Sequence, residues 1–215
     1  MSIREERKQQ SRQALLDAAL SLSSSGRSFS SVSLREVARE VGLVPTAFYR
    51  HFQDMDALGK ELVDQVALHL KTILHQLART FQDNPESKIP TCIDLFFNAV
   101  EQHPDVWIFM ISERWGGAEV LRQAIAREID FLNQDLSQDL SRLESTQHFK
   151  DANDFKVLAN ILINLSFTWA MSWINLQSQA SQPEFETAKD LLRSQTITQV
   201  QLIFRGISNW ERPKT

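Results

Sequence analysis

The chain has 215 residues and a formal net charge of −4, so it can bury a sizeable core but lacks the strong positive charge typical of many nucleic-acid-binding proteins. Glycine and proline number only six each, which argues against an all-β fold, because such a fold needs many turn residues. The single cysteine, Cys92, excludes an internal disulfide and any metal site built on several cysteines.

The charge is unevenly distributed along the chain. Residues 1–60 hold nine Lys/Arg and seven Asp/Glu, whereas residues 61–215 hold fourteen and twenty. A weakly basic head on an acidic body fits a DNA contact confined to one end, although chance scatter gives the same kind of imbalance. The charged N-terminus lacks the apolar core of a signal peptide, so we expect a cytoplasmic protein.

Helical spacing of apolar residues predicts a first helix over 3–23, ended by serines and a glycine. Ser33 and Glu36, three residues apart, form a capping-box pattern that starts a second helix over 34–41. Gly42 ends that helix as a left-handed residue, and Pro45 suits the first position of a short helix over 45–51. Phe48 is expected to point inward, as is Phe52.

The rest of the chain also has helical periodicity and gives no convincing strand. Asp54 can cap a long helix over 55–81. Breaks at Asp83–Pro85, Gly116-Gly117 and Pro183 separate further helices, predicted over 87–102, 104–114, 118–143, 151–181 and 185–209. We therefore predict an all-α fold.

Residues 157–183 carry no Asp, Glu, Lys or Arg. A membrane span is one explanation, but the stretch contains many amides and hydroxyls, which are costly in lipid. A helix buried between protein surfaces explains the missing charges better, so we expect no membrane contact.

The two short helices around Gly42 form a helix-turn-helix, whose second helix can enter the major groove of DNA. Thr46 can hydrogen-bond a base edge, while Pro45 and Ala47 can contact a thymine methyl. Tyr49 can donate to a phosphate, and Arg50 and His51 can supply positive charge. Ser33 and Arg35, at the start of the first helix of the motif, can also reach a phosphate.

The alternative is an αα turn in a helical bundle, with the aromatic residues serving only in packing. A tyrosine beside Arg50-His51 on so short a helix is harder to explain that way, so we favour DNA binding.

The segment 27–52, RSFSSVSLREVAREVGLVPTAFYRHF, resembles the DNA-binding signature of the TetR family of repressors. Together with Asp54, Asp56, Leu58-Gly59 and the stretch from Ser112 to Ile129, it is most similar to the branch that represses genes of unsaturated fatty acid synthesis and fatty acid desaturases. The chain departs from the common family pattern at Val44, where Ser or Thr usually caps the recognition helix. Valine cannot cap, so Pro45 must set the start of the helix alone.

The resemblance implies a homodimer that pairs through its last two long helices and binds a near-palindromic operator. It also implies a three-helix DNA-binding domain over 1–54 and a helical effector-binding and dimerisation domain over 55–215. In the branch named above, the effector is a long-chain acyl thioester on coenzyme A or acyl carrier protein.

Residues 88–210 are rich in large apolar side chains. Taken singly, each is best explained as part of the hydrophobic core, but together they predict a cavity lined by helices. We expect the acyl chain to lie among five of them: Phe97, Trp107, Ile108, Ile111 and Phe167. Glu113 and Arg114 are expected either as polar residues near the ligand or as a structural or solvated ion pair.

The sequence contains no nucleophile–base motif, no HExxH and no phosphate-binding glycine loop. We therefore expect no catalytic residues, no metal and no cofactor. Two alternatives stay open: a TetR-type repressor that senses another apolar compound, such as a drug or metabolite, and a helical lipid-binding carrier that does not bind DNA.

Overall fold

The computed structural model describes residues 3–83, 88–143, 146, 149, 151–179 and 184–208, and within these ranges it contains nine α-helices, one 3₁₀ turn and no strand. The helices are α1 (Ile3–Ser24), α2 (Leu34–Glu40), α3 (Pro45–Phe48), α4 (Met55–Asp83), α5 (Lys88–Gln102), α6 (Pro104–Glu113), α7 (Glu119–Leu140), α8 (Ala152–Gln177) and α9 (Phe185–Ser208). The 3₁₀ turn Phe29–Ser31 lies between α1 and α2. The predicted all-α class is confirmed.

The predicted helix boundaries agree with these to within a few residues, with the largest differences at C-terminal ends. The helix predicted over 45–51 ends at Phe48, because the next residues continue as tight turns in which the Arg50 N–H donates to the carbonyl of Ala47 at 3.2 Å. The predicted breaks at Asn84-Pro85 and Pro183 lie outside the described residues.

Side-chain caps fix the starts of α2 and α4. The Ser33 Oγ accepts the Glu36 N–H at 3.3 Å, and Glu36 Oε2 accepts the Ser33 N–H at 2.9 Å, which completes the predicted capping box of α2. The backbone hydrogen bond from Ser33 is the main reason that the pKa of Glu36 falls to about 2, and bonds from the Ser33 hydroxyl and Arg27 lower it further. Asp54 caps α4 as predicted, since its Oδ1 accepts the Ala57 N–H at 2.8 Å.

The chain divides into two compact units. The first contains residues 1–69 and 105–129, and the second contains 70–104 and 130–215. In the first unit α2 packs against α1 and α3, and Gly42 ends α2 with a φ of +70°, as its role as a left-handed terminator requires. These units do not test the predicted division into a DNA-binding domain over 1–54 and an effector-binding domain over 55–215, which stays a prediction.

In the second unit α5 packs against α8 and α9. Helix α8 is long and apolar enough to cross a membrane by length and composition alone, yet 39% of its most apolar stretch is buried inside the chain. Its buried side includes Ile163, Trp169 and Trp173, so much of its hydrophobicity contributes to a protein core.

Gly59 of α4 offers a test of packing in the first unit. A Cβ at this position would lie 2.6 Å from Leu121 Cδ1 and 2.9 Å from Phe29 Cζ, and both of these side chains are buried. We expect Gly59→Ala to lower the free energy of unfolding by about 1–2 kcal/mol, because overpacking outweighs the gain in helix propensity.

Urea denaturation measures this change, and Lys60→Ala on the exposed side of the same helix is the control, expected to stay within about 0.5 kcal/mol of wild type. A Gly59→Ala variant as stable as wild type would contradict the described packing.

Candidate functional site

The short helix α3 has one buried and one exposed side. Phe48 is fully buried, and Phe52, which follows the helix, is 3% exposed with its ring centroid 5.6 Å from that of Phe48. On the other side Thr46 and Arg50 are exposed, and Tyr49 has 63% of its surface accessible. Packing therefore anchors α3 through its phenylalanines and leaves hydrogen-bonding and cationic groups facing outward.

The start of α3 depends on backbone geometry instead of a side-chain cap. Val44 occupies the N-cap with extended backbone angles and makes no side-chain cap hydrogen bond, and Pro45 is the first helical residue. Because proline has no N–H to satisfy and a φ suited to a helix, it begins the helix where valine cannot cap it. Pro45 is exposed and Ala47 is half-buried, so the start of α3 presents an apolar surface beside Thr46.

Ser33, whose contact with phosphate stays a prediction, uses both of its donors within the start of α2. Its hydroxyl donates to Glu36 Oε2 at 2.8 Å, and its backbone N–H donates to the same oxygen at 2.9 Å. Both donors of Ser33 are thus committed to the capping box, and a phosphate would have to compete with a carboxylate for them. Arg35, two residues on, is exposed on the surface of α2.

His51 is a predicted DNA contact, which stays a prediction, and in the free protein its positive charge is disfavoured. Its pKa lies below the ordinary value of about 6.5, mainly because partial burial disfavours the cation and also because Arg12, Lys8 and Arg50 are positive. The imidazole is therefore neutral at pH 7, and its Nδ1 is buried without a hydrogen-bond partner among the described residues.

Arg12 of α1 is bound within the first unit. It pairs with Glu61, donates to the carbonyl of His51 and lies 4.2 Å from the Phe52 ring centroid. It therefore ties α1 and α4 to the end of the α3 segment. Of the eight predicted DNA-binding residues, five are exposed: Arg35, Pro45, Thr46, Tyr49 and Arg50.

A cavity of about 170 Å³ lies inside the second unit. Most of its wall is aliphatic or aromatic and comes from five helices: Leu74, Leu77, Phe81, Ile93, Phe96, Leu136, Leu140, Leu162, Ile163, Trp169, Val200 and Phe204. It exceeds the roughly 150 Å³ at which an apolar cavity in a protein already holds benzene.

The few polar side chains in this wall are already satisfied. Ser166 Oγ donates to the Ile163 carbonyl at 2.8 Å, and the Cys92 thiol donates to the Leu77 carbonyl at 3.6 Å. Burial raises the pKa of that thiol to about 11, so it is neutral at pH 7. Asp139 pairs with Arg142 at 3.1 Å. The cavity therefore offers an apolar contact surface, suited to a hydrocarbon group.

None of the seven residues predicted for the ligand lines this cavity. Phe97 lies in the second unit, where its ring stacks on Trp173 at 3.9 Å, and Phe167 is buried there too. The other five belong to the first unit: Trp107, Ile108, Ile111, Glu113 and Arg114. Their contact with an effector stays a prediction.

Glu113 has a structural partner within the first unit. It is 1% exposed, and its Oε1 accepts the backbone N–H of Phe29 at 2.7 Å. Arg114 lies 5.2 Å from the ring centroid of the exposed Trp115. Neither residue lines the cavity of the second unit.

The cavity residues that sequence reasoning missed were visible only as parts of amphipathic stripes. Leu74 and Leu77 belong to the apolar stripe of α4, and Leu136 and Leu140 belong to that of α7. A stripe predicts which side of a helix is buried, but not which stretch of that side faces a void.

Comparison with known proteins identifies families and structures that this chain resembles. The family described as "Bacterial regulatory proteins, tetR family" matches residues 15–62, and the "Tetracyclin repressor-like, C-terminal domain" family matches residues 85–200. An uncharacterized HTH-type transcriptional regulator of Haemophilus influenzae is 33% identical over 215 residues, covering 99% of this chain and 98% of that protein.

Two solved structures share the fold. The fatty acid degradation regulator FadR of Bacillus halodurans has a TM-score of 0.63 at 11% identity, covering 94% of this chain and 97% of that one. The FadR repressor of Thermus thermophilus, solved in complex with lauroyl-CoA, has a TM-score of 0.57 at 14% identity with the same coverage of each chain. By its two family matches and its relative of full length, the chain belongs to the TetR family of DNA-binding transcriptional regulators.

Proposed function

We propose that this regulator is a cytoplasmic, homodimeric repressor of genes for fatty acid synthesis or desaturation. Its effector is a long-chain acyl thioester, carried by coenzyme A or acyl carrier protein, whose acyl chain occupies the cavity of the second unit. Residues 1–54 bind the operator, and residues 55–215 bind the effector and form the dimer.

The observation that carries the effector proposal is the composition of the cavity wall. Hydrocarbon side chains from five helices surround it, and its Ser166 and Cys92 donors are used by backbone carbonyls. Such a wall favours a long apolar chain, since apolar surface removed from water is stabilised in proportion to its area. The lauroyl-CoA complex of the Thermus thermophilus protein, which shares the fold, supports the same ligand class.

The exposed side of α3 carries the operator proposal. Thr46 is placed to contact a base edge, and Tyr49 and Arg50 are placed to contact phosphates, with Arg35 adding a second cation from α2. Pro45 and Ala47 supply apolar contact at the start of the helix. Ser33 also fixes the start of α2 through its capping box, and the backbone carbonyl of His51 accepts a hydrogen bond from Arg12.

The dimer proposal rests on apolar side chains left exposed on the last two helices. Val157 and Ile161 lie one turn apart on α8 and are 51% and 43% exposed. Leu191 and Leu202 lie three turns apart on α9 and are 57% and 62% exposed. A pairing through these faces gives a two-fold axis, and a spacing of about 34 Å between recognition helices then requires a near-palindromic operator.

Replacing the exposed groups of α3 tests operator binding. We expect Arg50→Ala to weaken binding to an operator duplex and to reduce the slope of log K against log salt by about 0.9, since one phosphate contact is lost. Tyr49→Phe should also weaken binding while the dimer stays folded. Fluorescence anisotropy titrations at several salt concentrations measure both effects.

The matched control is Arg142→Ala, which removes a mostly exposed arginine from the second unit and should leave operator affinity and its salt slope unchanged. Equal affinities for wild type and Arg50→Ala at every salt concentration would rule out the proposed role of α3.

Filling the cavity tests the effector. We expect acyl-CoAs of increasing chain length to change wild-type operator affinity by roughly 5- to 150-fold, the usual range of allosteric coupling. Ala78→Phe places a ring in the cavity wall and should abolish this response while operator affinity without ligand is retained.

Ile108→Phe serves as the comparison, because Ile108 belongs to the group of residues predicted from sequence and does not line the cavity. If Ile108→Phe abolishes the response and Ala78→Phe does not, the ligand site lies with the residues predicted from sequence. A flat response of wild type across the acyl series, with a response to another apolar compound, would replace the fatty acid proposal with a different effector.

A charge on α9 tests the dimer. We expect Leu202→Glu to weaken self-association at least tenfold, because burying an unpaired carboxylate in an interface is costly. Sedimentation velocity over a concentration series measures this, with Leu68→Glu as a control at a 66% exposed leucine of α4. A Leu202→Glu protein that stays dimeric at the concentrations where wild type does would exclude this face.

A further inference from the structure

The 3₁₀ turn that precedes the helix-turn-helix is joined to α6 by a buried carboxylate. Glu113, the last residue of α6, is the one charged side chain found buried among the described residues, at 1% exposure. Its Oε1 accepts the N–H of Phe29, the first residue of the 3₁₀ turn, at 2.7 Å across 84 positions of sequence. Four residues after Phe29, Ser33 caps the start of α2.

The ring of Phe29 strengthens this attachment. It is 3% exposed and meets Phe109 of α6 edge to face at 6.4 Å. On another side it approaches Gly59 of α4 so closely that a Cβ there would lie 2.9 Å from it. The turn is therefore held by packing on its side chain and by one charge-assisted hydrogen bond on its backbone.

Stability alone does not account for a carboxylate at this place. Burying a charge is costly, and an apolar residue of similar size in such a position is often equally or more stabilising. Oε2 of Glu113 has no hydrogen-bond partner among the described residues, and the carboxylate lies so near Gly116 that a Cβ there would be 2.3 Å from this oxygen. What the carboxylate supplies, and a leucine would not, is a directional acceptor for the Phe29 N–H.

We propose that Glu113 is a positioning residue for operator binding, which holds the 3₁₀ turn, and through it the start of α2, against the end of α6 in the register that DNA requires. This role rests on the operator binding of the proposed function. It makes the C-terminal end of α6 part of the DNA-binding unit, although it lies more than sixty residues beyond the helix-turn-helix in sequence.

The test compares two replacements of Glu113 in the full-length protein. Glu113→Gln keeps a carbonyl acceptor for the Phe29 N–H, whereas Glu113→Leu keeps the approximate size and removes the acceptor. With an operator duplex selected in vitro with the wild-type protein, we expect Glu113→Leu to bind at least tenfold more weakly and Glu113→Gln to bind within about threefold of wild type. Melting temperature and sedimentation are measured for each variant, so that loss of affinity is separated from loss of the fold.

Gly116→Ala perturbs the same carboxylate without replacing it. Its Cβ would displace Oε2, so we expect a loss of affinity like that of Glu113→Leu, and the double variant should lose no more than either single one, because both act through one hydrogen bond. Amide hydrogen exchange should be faster over residues 28–34 in Glu113→Leu and Gly116→Ala, but not in Glu113→Gln.

Each outcome decides between the two claims. If wild type selects no operator, the proposed function fails. If wild type binds but Glu113→Leu and Gly116→Ala both bind within threefold of it, only the positioning role is overturned. It is also overturned if a folded Glu113→Gln protein loses as much affinity as Glu113→Leu, since charge and not the acceptor would then matter.

Discussion

A helix of four residues cannot sustain itself, and the DNA-facing part of this protein depends on that constraint. Helix α3 is too short for its own hydrogen bonds to repay the cost of nucleation. Its conformation is imposed by the burial of Phe48 and Phe52, by the preset backbone of Pro45, and by Arg12, which donates to the carbonyl of His51. Because these anchoring contacts lie on the inner side, the outer side stays exposed.

Some charged and polar residues near α3 have partners within the protein. Arg12 is engaged with Glu61, and the donors of Ser33 are engaged with Glu36. These groups define the positions of the helices that carry Thr46, Tyr49 and Arg50. The polar residues of this surface thus fall into two classes: some bond within the protein and fix local structure, and others stay exposed. The residue type alone does not predict the class to which a residue belongs.

The two units use buried polar groups in opposite ways. In the second unit the polar atoms of the cavity wall bond to carbonyls of the protein, as Ser166 and Cys92 do, so the void remains apolar. In the first unit the carboxylate of Glu113 accepts a hydrogen bond from the backbone N–H of Phe29, in a turn 84 residues away in sequence. The apolar cavity wall of the second unit suits a hydrocarbon ligand. The hydrogen bond from Phe29 to Glu113 in the first unit instead fixes the geometry of the turn that precedes the helix-turn-helix.

The amino-acid sequence by itself determined where the helices begin, the caps of α2 and α4 and the position of the helix-turn-helix. These depend on local physics: the Ser33–Glu36 spacing, the left-handed tolerance of Gly42, the φ of Pro45 and the 3.6-residue period of apolar side chains. Only the tertiary structure decided which apolar residues line a cavity, and that Glu113 accepts a hydrogen bond from the backbone N–H of Phe29. Both outcomes depend on contacts between residues far apart in the chain, and periodicity within one helix carries no information about what the facing helix leaves empty or unpaired.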